Sequence, residues 1–102
     1  VANTYPNSQT AIGISFNDGS VYRAQTSTGL TVTLTDHKLG KAVDLWVTNT
    51  SGTNQTFTHG CSAINSSVGA TSFNLAASRT AYLRYASFDA DLANTYVTAT
   101  YS

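Results

Sequence analysis

The segment THGC places His59 and Cys61 two residues apart, and no other pair in this 102-residue chain comes as close to a catalytic or metal-binding arrangement. On one face of a strand the imidazole and thiol could act as base and nucleophile, or as two of the four ligands of a zinc ion. Either role needs further groups to converge on them. The only other histidine, His37, falls in the loop DHKLGK two strands earlier, and no local motif supplies an Asp or Asn partner. His59 and Cys61 therefore read as packed residues, with Cys61 a small buried hydrophobe. As the single cysteine, it has no partner for a disulfide within the chain. Asp89 and Asp91 in FDADLAN have the look of a calcium loop, but the glycine and closing glutamate of such a loop are missing. The chain has no glutamate, and its aspartates fall mostly at turns, so a pair of catalytic carboxylates across a cleft has no basis. The expectation is a protein without catalytic residues, metal or cofactor. Three N-x-S/T sequons, at Asn49, Asn54 and Asn65, are what chance gives in a chain this rich in Ser and Thr.

The aromatic residues carry more information. There are six tyrosines and one tryptophan. In AVDLWVT, the residues Val43, Leu45 and Val47 alternate with Asp44, Trp46 and Thr48, so Trp46 falls on the polar side of its strand. Tyr22, Tyr82 and Tyr96 read the same way, each opposite the aliphatic face. Rings with a polar tip suit a subunit interface or a sugar-binding surface, and also a second covered layer. Trp46, Tyr82, Arg84, Tyr22 and Tyr96 are the interface candidates, since Trp, Tyr and Arg dominate contact energetics.

These side chains need strands to position them. Period-two alternation predicts strands over Ala11–Phe16, Val21–Gln25, Leu30–Thr35, Ala42–Thr48, Gln55–His59, Phe73–Leu75, Ala81–Ser87 and Thr95–Tyr101. NDGS, between the first two, is a hairpin signal because Asp-Gly accommodates a tight primed turn. No segment keeps a helical period. The polar start, Val1 to Thr10, with the only proline, reads as an extended arm whose Tyr5 and Pro6 would contact a neighbour. Residues 11–102 then form one domain, an all-β antiparallel sandwich of about eight strands, jelly-roll-like.

Composition narrows the partners. Charged residues are 10% of the chain, well below the usual quarter, and the formal net charge is zero. Ser, Thr and Asn make up more than a third of it. Five scattered basic residues give no patch for nucleic acid or an anionic membrane. No apolar run approaches the roughly 20 residues of a membrane-spanning helix, and VANTYPNSQT has neither the basic nor the apolar block of a signal peptide. A near-neutral surface does not oppose close packing of many copies.

The blocks SVYRAQTSTGLTVTLTDHKLGKAVDLWVTNTSGTNQTFTHG and SFNLAASRTAYLRYASFDADLANTYVTATYS, over roughly residues 20 to 101, resemble the β-sandwich domains of tailed-bacteriophage virion proteins. The shared order is a T-x-T-L strand, a glycine before a long strand ending in N-T-S-G, a Q-T-F-T strand, R-T-A-Y-L-R-Y and a final Y-V-T-A-T. Such domains occur in capsid decoration (cement) proteins and in tail-fibre or receptor-binding heads. The resemblance implies a non-enzymatic role on the virion surface, usually as a homotrimer bound to the major capsid protein or another virion protein. The short length and polar arm favour a trimeric decoration protein. A fibre-head or carbohydrate-binding module recognising host glycans through exposed aromatics is the alternative.

Overall fold

A computed structural model describes residues 2–17, 21–36, 40–61, 66–67, 69–87 and 95–101, with only the backbone of Ala2, Asn3, Pro6 and Tyr101. All regular structure among them is β. The strands are β1 (Ala2–Ser8), β2 (Ala11–Ser15), β3 (Val21–Thr26), β4 (Leu30–Thr35), β5 (Ala42–Asn49), β6 (Gln55–Thr58), β7 (Ser72–Leu75), β8 (Thr80–Ser87) and β9 (Thr95–Tyr101). They form a five-stranded sheet in the order β1-β3-β5-β8-β9 and a four-stranded sheet in the order β2-β4-β6-β7.

Both sheets are mixed, which corrects the antiparallel expectation. β1, β3 and β5 run parallel to one another, as do β2, β4 and β6. Only β5-β8, β8-β9 and β6-β7 are antiparallel. The chain steps from one sheet to the other at each of its first five connections. Parallel neighbours cannot be joined by a tight turn, and here the return path is a strand of the opposite sheet. NDGS therefore joins two strands that do not pair with each other, although its residues 18–20 lie outside the described residues. An Asp-Gly signal marks a reversal of the chain; it does not require that both strands stay in one sheet. The next crossing is short. Thr26 Oγ1 donates to Gly29 O (2.8 Å) and accepts from Gly29 N–H (3.0 Å), which turns the chain from β3 into β4.

The two sheets contribute to one core. Tyr22, Ala24, Val43, Leu45, Val47, Ala81, Leu83, Tyr85 and Val97 come from the five-stranded sheet. Ile12, Ile14, Leu30, Val32, Leu34, Phe57, Phe73 and Leu75 come from the other. The alternation in β4 and β5 that the sequence displays is the burial pattern observed.

The N-terminal segment is a strand of this domain. β1 pairs with β3 of its own chain, with a register shift between Thr4 and Ser8. The seven residues ANTYPNS look like an arm because, among those whose side chains are described, Tyr5 alone packs against the core, and an edge strand needs little more. Pro6 suits an edge, where a missing N–H costs no ladder bond.

Tyr5 and Tyr22 also solve a problem of strand edges. Phe16 N–H bonds Thr35 O and Thr31 N–H bonds Thr10 O. In a parallel ladder alternate residues turn both backbone groups to the same neighbour, so Gly13 and Ser15 turn theirs to the open side of β2. There the Tyr22 hydroxyl accepts from Ser15 N–H (3.1 Å) and donates to Ser15 O (3.2 Å). The Tyr5 hydroxyl donates to Gly13 O (3.4 Å). Two tyrosines of the five-stranded sheet thus occupy backbone groups that would otherwise template a foreign strand. At the β9 edge of the five-stranded sheet, Ser67 donates its N–H to Val97 O and its Oγ accepts from Ala99 N–H.

Candidate functional site

The sheet registers place each sequence-derived candidate on one face or the other. Arg23 lies opposite Trp46, Trp46 opposite Tyr82, and Tyr82 opposite Thr100, making one row across the outer face of the five-stranded sheet. The adjacent row is Val21, Asp44, Arg84 and Thr98. Trp46 is 37% exposed, the one large hydrophobic side chain that is exposed among the described residues. Its ring centroid is 4.6 Å from that of Tyr82, with the planes tilted by 37°. On the opposite flank the Arg23 guanidinium lies over the indole, 6.0 Å from its centroid, near the outer limit of a cation–π contact. Arg23 and Tyr82 come from the strands on either side of β5, so the indole has a neighbour on each flank.

Beside this row, Asp44 Oδ1 accepts from the Tyr82 hydroxyl (2.7 Å) and from Arg84 Nη1 (2.9 Å). The bond to the Asp44 carboxylate raises the Tyr82 phenol above its ordinary value. The Tyr82 oxygen and then the Asp44 charge push Arg84 up in turn. The triad fixes Tyr82 against Trp46, but its ion pair is too exposed to add much stability. A shallow groove of about 270 Å³ runs along the Arg23 side, lined by Thr4, Arg23, Gln25 and Thr48 among others.

Three of the five interface candidates, Trp46, Tyr82 and Arg84, are gathered here. Tyr96 lies on the same face but opposite Ala86, two rows from Tyr82. Tyr22 does not belong to this face. It is 2% exposed and points into the core, which corrects its place among the interface candidates. In VYRAQT both phases carry one aliphatic residue, so the alternation there was ambiguous. The discriminating signal was Arg23 and Gln25, which cannot share the core with Tyr22, Ala24 and Thr26. Arg23 is the member of the face that the sequence reading missed, and Asp44, placed beside Trp46 by alternation, was not named as a contact residue. Tyr5 faces the inside of its own domain, and the side chain of Pro6 lies outside the described residues.

The His59–Cys61 pair is built into the interior. Cys61 N–H donates to His59 Nδ1 (3.0 Å), so Nδ1 is unprotonated and Nε2–H donates to Ala70 O (2.5 Å). Both ring nitrogens are engaged, and neither is left for a substrate proton or a metal. The Tyr85 hydroxyl donates to His59 O (2.7 Å), tying β8 to the end of β6. Burial pushes the Cys61 thiol from 9.0 up to about 11. It also pushes Tyr85 well above 10.0. Both groups are neutral in the fold and ionise more easily when unfolded. A raised folded-state value gives stability that is intact below the unfolded value and lost as pH rises through the folded one. For Cys61 that window runs from pH 9.0 to about 11. Thermal melts should therefore show a falling midpoint across this range, less steep in Cys61→Val. A wild-type midpoint that stays flat to pH 11 contradicts this.

Among the described residues, no three His, Cys, Asp or Glu side chains gather as a metal site. His37, Asp89, Asp91 and Asn65 lie outside the described residues. Asn49, the first sequon, is fully buried, whereas Asn54 is exposed. The chain matches no protein-family model, no curated protein and no solved structure.

Proposed function

We propose that this chain is a non-enzymatic virion structural protein of a tailed bacteriophage, a capsid decoration protein that binds other protein subunits through the outer face of its five-stranded sheet. The observation that carries the contact role is the Arg23–Trp46–Tyr82 row: an exposed tryptophan with a cation on one flank and a second ring on the other, on the outer face of a sheet. Trp, Tyr and Arg are the residues that carry most interface energy. The low content of charged residues, 10% of the chain, and the zero formal net charge favour close packing with neighbours. The virion assignment and the trimer usual among such proteins rest on the strand-and-turn resemblance over residues 20 to 101, and the jelly-roll-like sandwich rests on the number and spacing of the strands.

The mechanism is mass action. A subunit that binds only the assembled lattice stabilises it by its binding free energy at every site. No catalytic step is required. Arg23 and Tyr82 on the two flanks of Trp46 disfavour the glycan-binding alternative, because a sugar ring stacks on an open aromatic surface.

The test is cryo-EM of the native particle together with binding of purified chain to particles stripped of their decoration. Density for the domain on the capsid exterior, with the Trp46 face against another subunit, is the expected result. A chain that never associates with particles, or that sits with the Trp46 face turned to solvent, overturns the proposal.

A further inference from the structure

The contact face carries both signs of charge in an arrangement that a second copy would satisfy. Arg23 has a π partner in Trp46, but among the described residues no carboxylate pairs with it. Both bonds to Asp44 use Oδ1, which leaves Oδ2 without a partner among the described residues. Arg23 and Asp44 stand on neighbouring strands, offset by two residues, because Arg23 pairs with Trp46 and Val21 pairs with Asp44. That diagonal of about 7–8 Å is one a long side chain can bridge, yet the Arg23 guanidinium lies over Trp46 and no ion pair joins it to Asp44 among the described residues. We propose that two copies of this chain pack face to face through the outer surface of the five-stranded sheet. In this arrangement Arg23 of each copy binds Asp44 of the other, and the two Trp46 side chains meet near the two-fold axis.

A two-fold interface is self-complementary: if residue i meets residue j, then j also meets i. A face with one unsatisfied cation, one half-used carboxylate and an aromatic anchor between them meets that condition without any other partner. The area is also sufficient. Five strands at about 4.8 Å spacing and some seven residues at about 3.3 Å each give roughly 500 Å² per copy, about 1,000 Å² in all. That is the lower bound for a specific interface, so the dimer should be reversible and sensitive to salt. The inference specifies a partner for the contact face described under the proposed function and rests on that reading of the face.

Sedimentation velocity over a range of concentrations tests it with a charge exchange. Wild type is expected to show a monomer–dimer equilibrium, weakened at least about thirtyfold by Trp46→Ala. Arg23→Asp alone and Asp44→Lys alone should each be monomeric, since each homodimer would oppose two like charges. Their equimolar mixture should dimerise, because both cross pairs then join Asp to Lys or Arg to Asp. Thermal melts confirm that each variant is folded. If Asp44→Lys is not, Asp44→Asn mixed with Arg23→Asp keeps one intact pair and should restore part of the dimer. A mixture that stays monomeric overturns the proposal, as does wild type that is monomeric at every concentration or forms a trimer indifferent to Trp46→Ala. A monomer that still binds stripped particles refutes this inference and leaves the decoration role standing. A dimer that ignores particles does the reverse.

Discussion

Gly60→Ala is expected to remove about 3–4 kcal/mol of stability and to lower the melting midpoint by roughly 15 °C. Two independent penalties meet at this residue. Its φ is +91°, a region that side chains with a Cβ rarely enter. A Cβ there would also stand 2.7 Å from Val32 O, a backbone atom of the central strand β4 that cannot swing away as a side chain would. The strain falls where the fold is knotted. His59 N–H bonds Thr71 O, His59 O accepts from Tyr85, and Cys61 N–H bonds the His59 ring. Moving Gly60 disturbs all three, and one of them ties the two sheets together. Against a typical stability of about 5–15 kcal/mol, the loss leaves a marginal protein. Gly52→Ala is the control, because a Cβ at that position meets nothing within 4 Å. Chemical denaturation of both variants is the measurement, and equal midpoints would falsify the account.

Asn49→Asp should be nearly as damaging, at about 3 kcal/mol or more near neutral pH. The side chain is fully buried and its amide is saturated. Nδ2 donates to the carbonyls of Thr53 (2.8 Å) and Leu75 (2.9 Å), with Ala76 O at 3.3 Å. Oδ1 accepts from the N–H (2.9 Å) and the hydroxyl (2.7 Å) of Ser51. These bonds fold the loop between β5 and β6 and pin it to the end of β7. Aspartate has the same shape but turns a buried anion toward three carbonyl oxygens. Acidification should return part of the loss, because a protonated carboxyl can donate one of the missing bonds. Urea unfolding at pH 7 and pH 4.5 reads both effects, with exposed Asn54→Asp as the control. An Asn49→Asp midpoint close to wild type at neutral pH sinks the argument. The same burial means that a glycan on Asn49 is incompatible with this fold, so its N-T-S sequon is a structural signal and not a modification site.

The strands were legible because alternation is a local property. Leu30, Val32 and Leu34 in β4 and Val43, Leu45 and Val47 in β5 follow directly from spacing, and so does the outward position of Trp46 and Tyr82. The packed reading of His59 and Cys61 was open to sequence reasoning as well, since no third group stood near them. Period-two alternation says which way a side chain points within its strand. It does not say which strand lies beside it.

Pairing was therefore decided by tertiary structure alone. A strand's alternation is the same in a parallel or an antiparallel sheet, so the stepping of the chain between two sheets left no mark in the pattern, and NDGS could pass for a hairpin. Tyr22 illustrates the limit on a single residue. Its phase was ambiguous in VYRAQT, and its burial is resolved by Ser15, whose outward backbone groups the Tyr22 hydroxyl bonds. Arg23 joined the candidate face for the same reason, because only the β3–β5 register sets it beside Trp46. The sequence by itself determined an all-β chain with an aromatic residue on a polar strand face. The tertiary structure decided what flanks that residue, because cross-strand neighbours are far apart in sequence and meet only once the sheets are assembled.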